Sequence, residues 1–105
     1  MSEELKINEK YIDGSLYVVL SGEIDIYTSQ GLKERLCDIV EREKSDLRID
    51  CSNLNYIDST GLGLLVGVLK KVKQNGNKIY LINMKENIKK LFVITGLDKV
   101  FNIEE

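Results

Sequence analysis

The sequence predicts one α/β domain: a mixed, mostly parallel sheet of four to five strands with an N-terminal β-hairpin and about three to four helices. Three observations predict it. An Asp13-Gly14 dipeptide between two apolar runs is a hairpin turn signal. Beyond Tyr27, stretches of helical period alternate with short apolar or period-2 stretches, and strand–helix–strand order implies right-handed crossovers and parallel strands. The chain has 105 residues, 43% hydrophobic and 30% charged, which suits one core, and no linker, repeat or low-complexity run divides residues 1–105.

Each element follows from its own residues. Leu5 to Ile12 alternates weakly and ends at the Asp13-Gly14 turn; Leu16 to Leu20 is the returning strand, stopped by Ser21-Gly22. From Tyr27 the period changes. Leu32, Leu36, Ile39 and Val40 share one helical face, and Thr28 or Ser29 is placed to cap that helix. Leu47, Ile49 and Cys51 alternate with Arg48 and Asp50 as a strand would, and Ser52-Asn53 and Asn55 mark the loop after it. A second helix begins near Ser59, with Leu62, Leu65, Val66, Leu69 and Val72 as its apolar stripe and Asn75-Gly76-Asn77 at its end. Leu64 and Val68 add apolar area off that stripe. Ile79 to Ile82 reads as a short buried strand, and Glu86 to Thr95 as a helix with Ile88, Leu91 and Phe92 inward and Gly96 after it. Val100 to Ile103 closes the order as an edge strand.

Composition excludes several classes of function. Net charge is −2, with 15 basic and 17 acidic residues interspersed, so there is no basic stripe for nucleic acid; Lys70, Lys71 and Lys73 read as a solvated helix face. No apolar run approaches the ~20 residues that cross a bilayer. The MSEELKINEK start has no signal segment, so a cytoplasmic protein without membrane contact is expected. The absence of histidine rules out a Ser-His-Asp triad or a Cys-His pair within the chain. Cys37 and Cys51 are too few and too separated for a disulfide framework or a thiolate metal site, and read as reduced, buried or half-buried thiols. No phosphate-binding glycine loop follows a candidate strand. Neither a catalytic residue, nor a metal, nor a cofactor is expected.

The informative stretch is Asn55 to Gly63, which joins the third strand to the second helix at the edge where open α/β sheets carry their chemistry. Asp58, Ser59 and Thr60 all suit an N-cap or first turn, and Gly61 and Gly63 allow close backbone approach. Read structurally, Ser59 caps the helix while Gly63 and Gly67 let it pack on the sheet. Asp58 as an acceptor aspartate, with Glu23 and Asp25 as its acidic neighbours, lacks a convincing lysine after a later strand.

Leu20-Ser21-Gly22-Glu23-Ile24-Asp25, Tyr56-Ile57-Asp58-Ser59-Thr60-Gly61-Leu62-Gly63 and Lys90-Leu91-Phe92 with Thr95-Gly96-Leu97 together resemble the anti-sigma factor antagonists of Bacillus-like bacteria, members of the STAS domain family. The general-stress type is the most similar. The resemblance runs over nearly the whole chain and implies a STAS-like fold. It also implies a regulatory protein, not an enzyme: the unphosphorylated form binds an anti-sigma factor serine kinase and frees the sigma factor. Phosphorylation of Ser59 by that kinase switches binding off, and a metal-dependent serine phosphatase reverses it. By the same resemblance Asp25, Thr28, Ser29, Asp58, Thr60, Gly61, Leu62 and Gly63 are the candidate partner contacts. Related domains also occur in transporters and sensory complexes, so a sensory module binding a nucleotide or anion is the alternative. A tight complex of the isolated protein with either ligand would favour it.

Overall fold

Asp13 and Gly14 take positive φ (52° and 81°), as both centres of a two-residue hairpin turn require, and fold β1 (Lys6–Ile12) antiparallel onto β2 (Ser15–Ile24) with Ile12 opposite Ser15. The computed structural model describes residues 4–105; residues 1–3, the start of the segment read above for a signal, lie outside the described residues. After the hairpin come α1 (Ser29–Glu43), β3 (Leu47–Ile57), α2 (Ser59–Gln74), β4 (Ile79–Ile82), α3 (Glu86–Ile94), a 3-10 turn (Leu97–Lys99) and β5 (Asn102–Glu104). The strands lie in the order β1-β2-β3-β4-β5, with every pair after the first parallel. This is the single α/β sheet expected, with three helices.

Sequential order with right-handed crossovers sends the three helices to one face of the sheet. Burial agrees. Leu16, Val18 and Leu20 of β2, Leu47, Ile49 and Cys51 of β3, and Ile79 and Leu81 of β4 are buried, whereas the alternate residues Tyr17, Val19, Arg48, Asp50, Tyr80 and Ile82 are only half-buried. The edge strand β1 is tied to α1 by Glu9, whose carboxylate meets Arg42 and, at 3.0 Å, Arg35. The hydrogen bond from Arg42 is the chief reason that carboxyl titrates below its ordinary value, so what the contact contributes is present at neutral pH and lost as the pH falls.

Four features differ from the sequence reading, and the first two share one cause. Strand β2 runs on through Ser21-Gly22 to Ile24, and β3 runs through Ser52, Asn53 and Asn55 to Ile57. Between them the register slips twice: Val19 faces Asp50 but Ser21 faces Asn53, and Gly22 faces Leu54 but Glu23 faces Tyr56. Each slip inserts one extra residue into β3, and a bulge breaks the period-2 pattern while both strands continue. The third is the stripe of α2. Gly61, Leu64, Leu65, Val68, Leu69 and Val72 are buried, while Leu62 and Val66 are half-buried at its flank. The helix is rotated because its first turn rests on the bulged strand ends, as shown below. The fourth is β5, which starts at Asn102, after the 3-10 turn has used Leu97–Lys99 and Phe101 has packed edge-on against Phe92 with ring centroids 5.7 Å apart. Leu91 is half-buried rather than inward.

Cys51 is buried in the core and Cys37 half-buried on α1; both are free thiols. Burial pushes the Cys51 thiol up to about 12. A thiol reagent is therefore expected to label Cys51 only once denaturant is added, and Cys37, half-buried on α1, already in the folded protein. Fast reaction of both thiols in the absence of denaturant would show that β3 opens readily.

Candidate functional site

Strands β2, β3 and β4 end at one edge of the sheet, where the loops to α1, α2 and α3 begin. Asp58 is the hinge of this edge. Its backbone is extended (φ −111°, ψ −173°), its N–H donates to the Ile24 carbonyl of β2 at 3.3 Å, and its Oδ1 accepts from the Gly61 N–H at 3.1 Å. Asp58, not Ser59, is thus the N-cap of α2. Ser and Asp cap equally well, and the sequence alone does not rank them. The consequence reaches Ser59. As the first residue inside the helix it is exposed, and among the described residues its hydroxyl makes no hydrogen bond. Thr60, next in the first turn, is exposed as well.

Gly61 explains how the helix start lies so close to the sheet. A Cβ at this position would sit 2.6 Å from Ile57 Cγ1 and 2.7 Å from Ile24 Cγ2, two residues that face one another across β2 and β3. Real Cβ atoms do not approach so near, so glycine is needed here for space. Gly63 and Gly67, read above as the packing glycines, are exposed and have no atom within 4 Å of an added Cβ. They lie on the solvent side because Gly61 occupies the contact.

The loop from β2 to α1 is built around Asp25, which is 9% exposed. Its Oδ1 accepts from the backbone N–H of Tyr27 at 2.9 Å and of Thr28 at 3.1 Å. The Thr28 hydroxyl accepts from the Asp25 N–H at 3.0 Å and donates to the Glu23 carbonyl at 2.9 Å. Thr28 is the N-cap residue of α1, but its side chain makes no capping bond, and neither does that of Ser29, which is half-buried. Asp25 and Thr28 therefore spend their polar atoms on shaping the loop. That shape turns Ile26 and Tyr27 out to 68% and 84% exposure, and Tyr56, at the end of β3, is 47% exposed. Leu62 stands half-buried one turn into α2.

The edge thus brings together Asp25, Thr28 and Ser29 on one loop with Asp58, Ser59, Thr60 and Gly61 on the next, joined by the bond from Asp58 to Ile24. Ile26, Tyr27 and Tyr56 were not among the expected contacts. The signal for them was present: large apolar residues beside a polar loop, outside every helical or strand stripe. Chemically the edge offers an exposed hydroxyl at a helix start, without a hydrogen bond among the described residues and next in sequence to a carboxylate, together with three exposed apolar or aromatic side chains. A hydroxyl so placed can accept a phosphoryl group. No helix of the described residues is long and apolar enough to cross a membrane.

Comparison with known proteins agrees with this architecture. The STAS domain family model matches residues 6–105. The chain is 38% identical over 99 residues to the anti-sigma-B factor antagonist of Bacillus subtilis, covering 94% of this chain and 90% of that one. Among solved structures, an anti-sigma factor antagonist from Mycobacterium paratuberculosis superposes with a TM-score of 0.82 at 27% identity, over 99% of this chain and 90% of that one. The Bacillus cell fate determinant SpoIIAA in its phosphorylated form shares the fold, with a TM-score of 0.70 at 17% identity over 93% and 90% of the two chains.

Proposed function

The chain belongs to the STAS domain family, and from that membership we propose that it is an anti-sigma factor antagonist whose binding to an anti-sigma serine kinase is switched off by phosphorylation of Ser59. One observation carries the reading: Asp58 caps α2, which leaves the Ser59 hydroxyl exposed at the start of the helix, without a hydrogen bond among the described residues. A serine that capped the helix would have to give up that bond to receive a phosphate. Ser59 gives up nothing.

The kinase supplies ATP, magnesium and the base, and this chain supplies the acceptor. The rim of Ile26, Tyr27 and Tyr56, with half-buried Leu62, supplies apolar area for the unphosphorylated complex, since large aromatic side chains dominate such contacts. Asp58, Thr60, Gly61 and Gly63 frame Ser59 from α2, whereas Asp25, Thr28 and Ser29 act mainly by holding Ile26 and Tyr27 outward. A phosphate at Ser59 places about −1.5 to −2 charge in that rim, next to the Asp58 carboxylate. A metal-dependent phosphatase resets the switch.

The test is intact mass after incubation with the anti-sigma kinase of the same host and Mg-ATP, with Ser59→Ala and Thr60→Ala alongside. Wild type and Thr60→Ala are expected to gain one phosphate and Ser59→Ala none. Because the Ser59 side chain makes no hydrogen bond among the described residues, Ser59→Ala should keep its stability within about 0.5 kcal/mol. Labelling of Ser59→Ala at another residue would overturn the assignment.

A further inference from the structure

The second bulge of β3 falls four residues before the acceptor serine, and a lysine from another loop holds it. Leu54 and Ile57 are both buried, and between them Asn55 and Tyr56 are both exposed. In an unbroken strand these side chains would alternate; the extra residue, Asn55, resets the phase. That reset points Ile57 inward against Ile24 and Gly61 and leaves Tyr56 outward on the rim. The position of the Asp58 cap, and so of Ser59, depends on the bulge.

Lys85 Nζ donates to Asn55 Oδ1 from the loop between β4 and α3. The loop is itself fastened. The Lys85 carbonyl accepts from the N–H groups of Ile88 at 3.0 Å and Lys89 at 2.9 Å, and Asn83, at φ 60°, donates its N–H to Glu104 of β5 at 2.9 Å. Across the three loops at this edge, residues 25–28, 58 and 83–85, Lys85 is the one basic residue. We propose that Lys85 is a positioning residue for the switch: it fixes the bulge at Asn55 and thereby the cap that presents Ser59 to the kinase. The phosphorylation half of this statement rests on the antagonist reading above; the positioning half does not.

The experiment separates them by using two readouts on wild type, Lys85→Ala, Asn55→Ala, the double variant and Lys85→Arg. The first needs no kinase: amide hydrogen exchange at Asp58, Gly61 and Leu62, whose N–H groups bond to Ile24, Asp58 Oδ1 and the Asp58 carbonyl. Exchange should quicken about three- to tenfold in Lys85→Ala, as expected for loss of one supporting hydrogen bond, at least as much in Asn55→Ala, and return towards wild type in Lys85→Arg. The second is kcat/KM for phosphorylation of Ser59, which should fall by a similar factor in Lys85→Ala, by at least as much in Asn55→Ala, and no further in the double than in Asn55→Ala. Unchanged exchange in Lys85→Ala would overturn the proposal. So would a fall in kcat/KM for Lys85→Ala that Asn55→Ala does not share, the mark of a lysine touching the kinase directly. If exchange responds as expected but wild type takes no phosphate, the antagonist reading fails and the positioning contact stands.

Discussion

Phosphorylated protein is expected to bind the anti-sigma kinase at least 100-fold more weakly than unmodified protein, while melting within a few degrees of it. The two halves come from the same geometry. Ser59 is the first residue of α2, where the helix dipole favours a negative group by about 0.3–1 kcal/mol at an exposed site. Its side chain is exposed and makes no hydrogen bond among the described residues, so the fold has little reason to respond. In the complex the position changes character. In the proposed complex the exposed Ile26, Tyr27 and Tyr56 would exclude water around Ser59, and burying a phosphate there costs several kcal/mol. About 1.4 kcal/mol is tenfold in affinity, so a cost of roughly 3 kcal/mol already gives 100-fold. Calorimetric titration of both forms, with a thermal scan of each, measures the pair of quantities. Equal affinities would remove the switch. A phosphorylated form that melts far below the other would mean that the modification acts by unfolding. Ser59→Asp should reproduce only part of the loss, since it carries one charge and little bulk.

How much of this was legible beforehand depends on the kind of signal each residue carries. The hairpin turn was readable because Asp13-Gly14 has few other uses, and α1 was readable because Leu32, Leu36, Ile39 and Val40 carry their burial in their side chains. The ends of β2 and β3 were hidden by the bulges, since an inserted residue looks the same in sequence as a strand that has stopped. Ser52, Asn53 and Asn55, taken as loop residues, are the outward-facing members of a continuing strand. The phase of α2 was missed for a different reason. Its decisive contact is made by Gly61, which has no hydrophobicity to count, so the stripe was placed on Leu62 and Val66 instead. The site residues divide the same way. Ser59 and Asp58 were found as members of one motif, but which of them caps the helix is a matter of the Gly61 amide's position. Lys85 was passed over because a lysine 26 residues away along the chain gains meaning only when β4 lies beside β3.

Gly22→Ala is expected to be among the most damaging single substitutions in the protein, costing between about 2 and 6 kcal/mol. Two costs add at this residue. Gly22 holds φ at +118°, a region that side-chain-bearing residues avoid, and a Cβ there would lie 2.4 Å from the Glu4 carbonyl oxygen. That oxygen is backbone, so relief requires the chain at Glu4 and Leu5, just before β1, to move away from β2. Set against a domain stability of ~5–15 kcal/mol, the loss is a large fraction of the whole. Gly67→Ala provides the opposite control. Gly67 is exposed within α2 with open space around it, and alanine there should gain up to about 1 kcal/mol from helix propensity. Urea unfolding of the two variants should therefore move the midpoint in opposite directions from wild type. A Gly22→Ala protein within about 1 kcal/mol of wild type would mean that β1 gives way cheaply at its start. It would also weaken the case that the end of β2 is rigid. That rigidity matters to the proposed switch, because the Ile24 carbonyl two residues on anchors Asp58, and Asp58, as the cap, leaves the Ser59 hydroxyl out of that role.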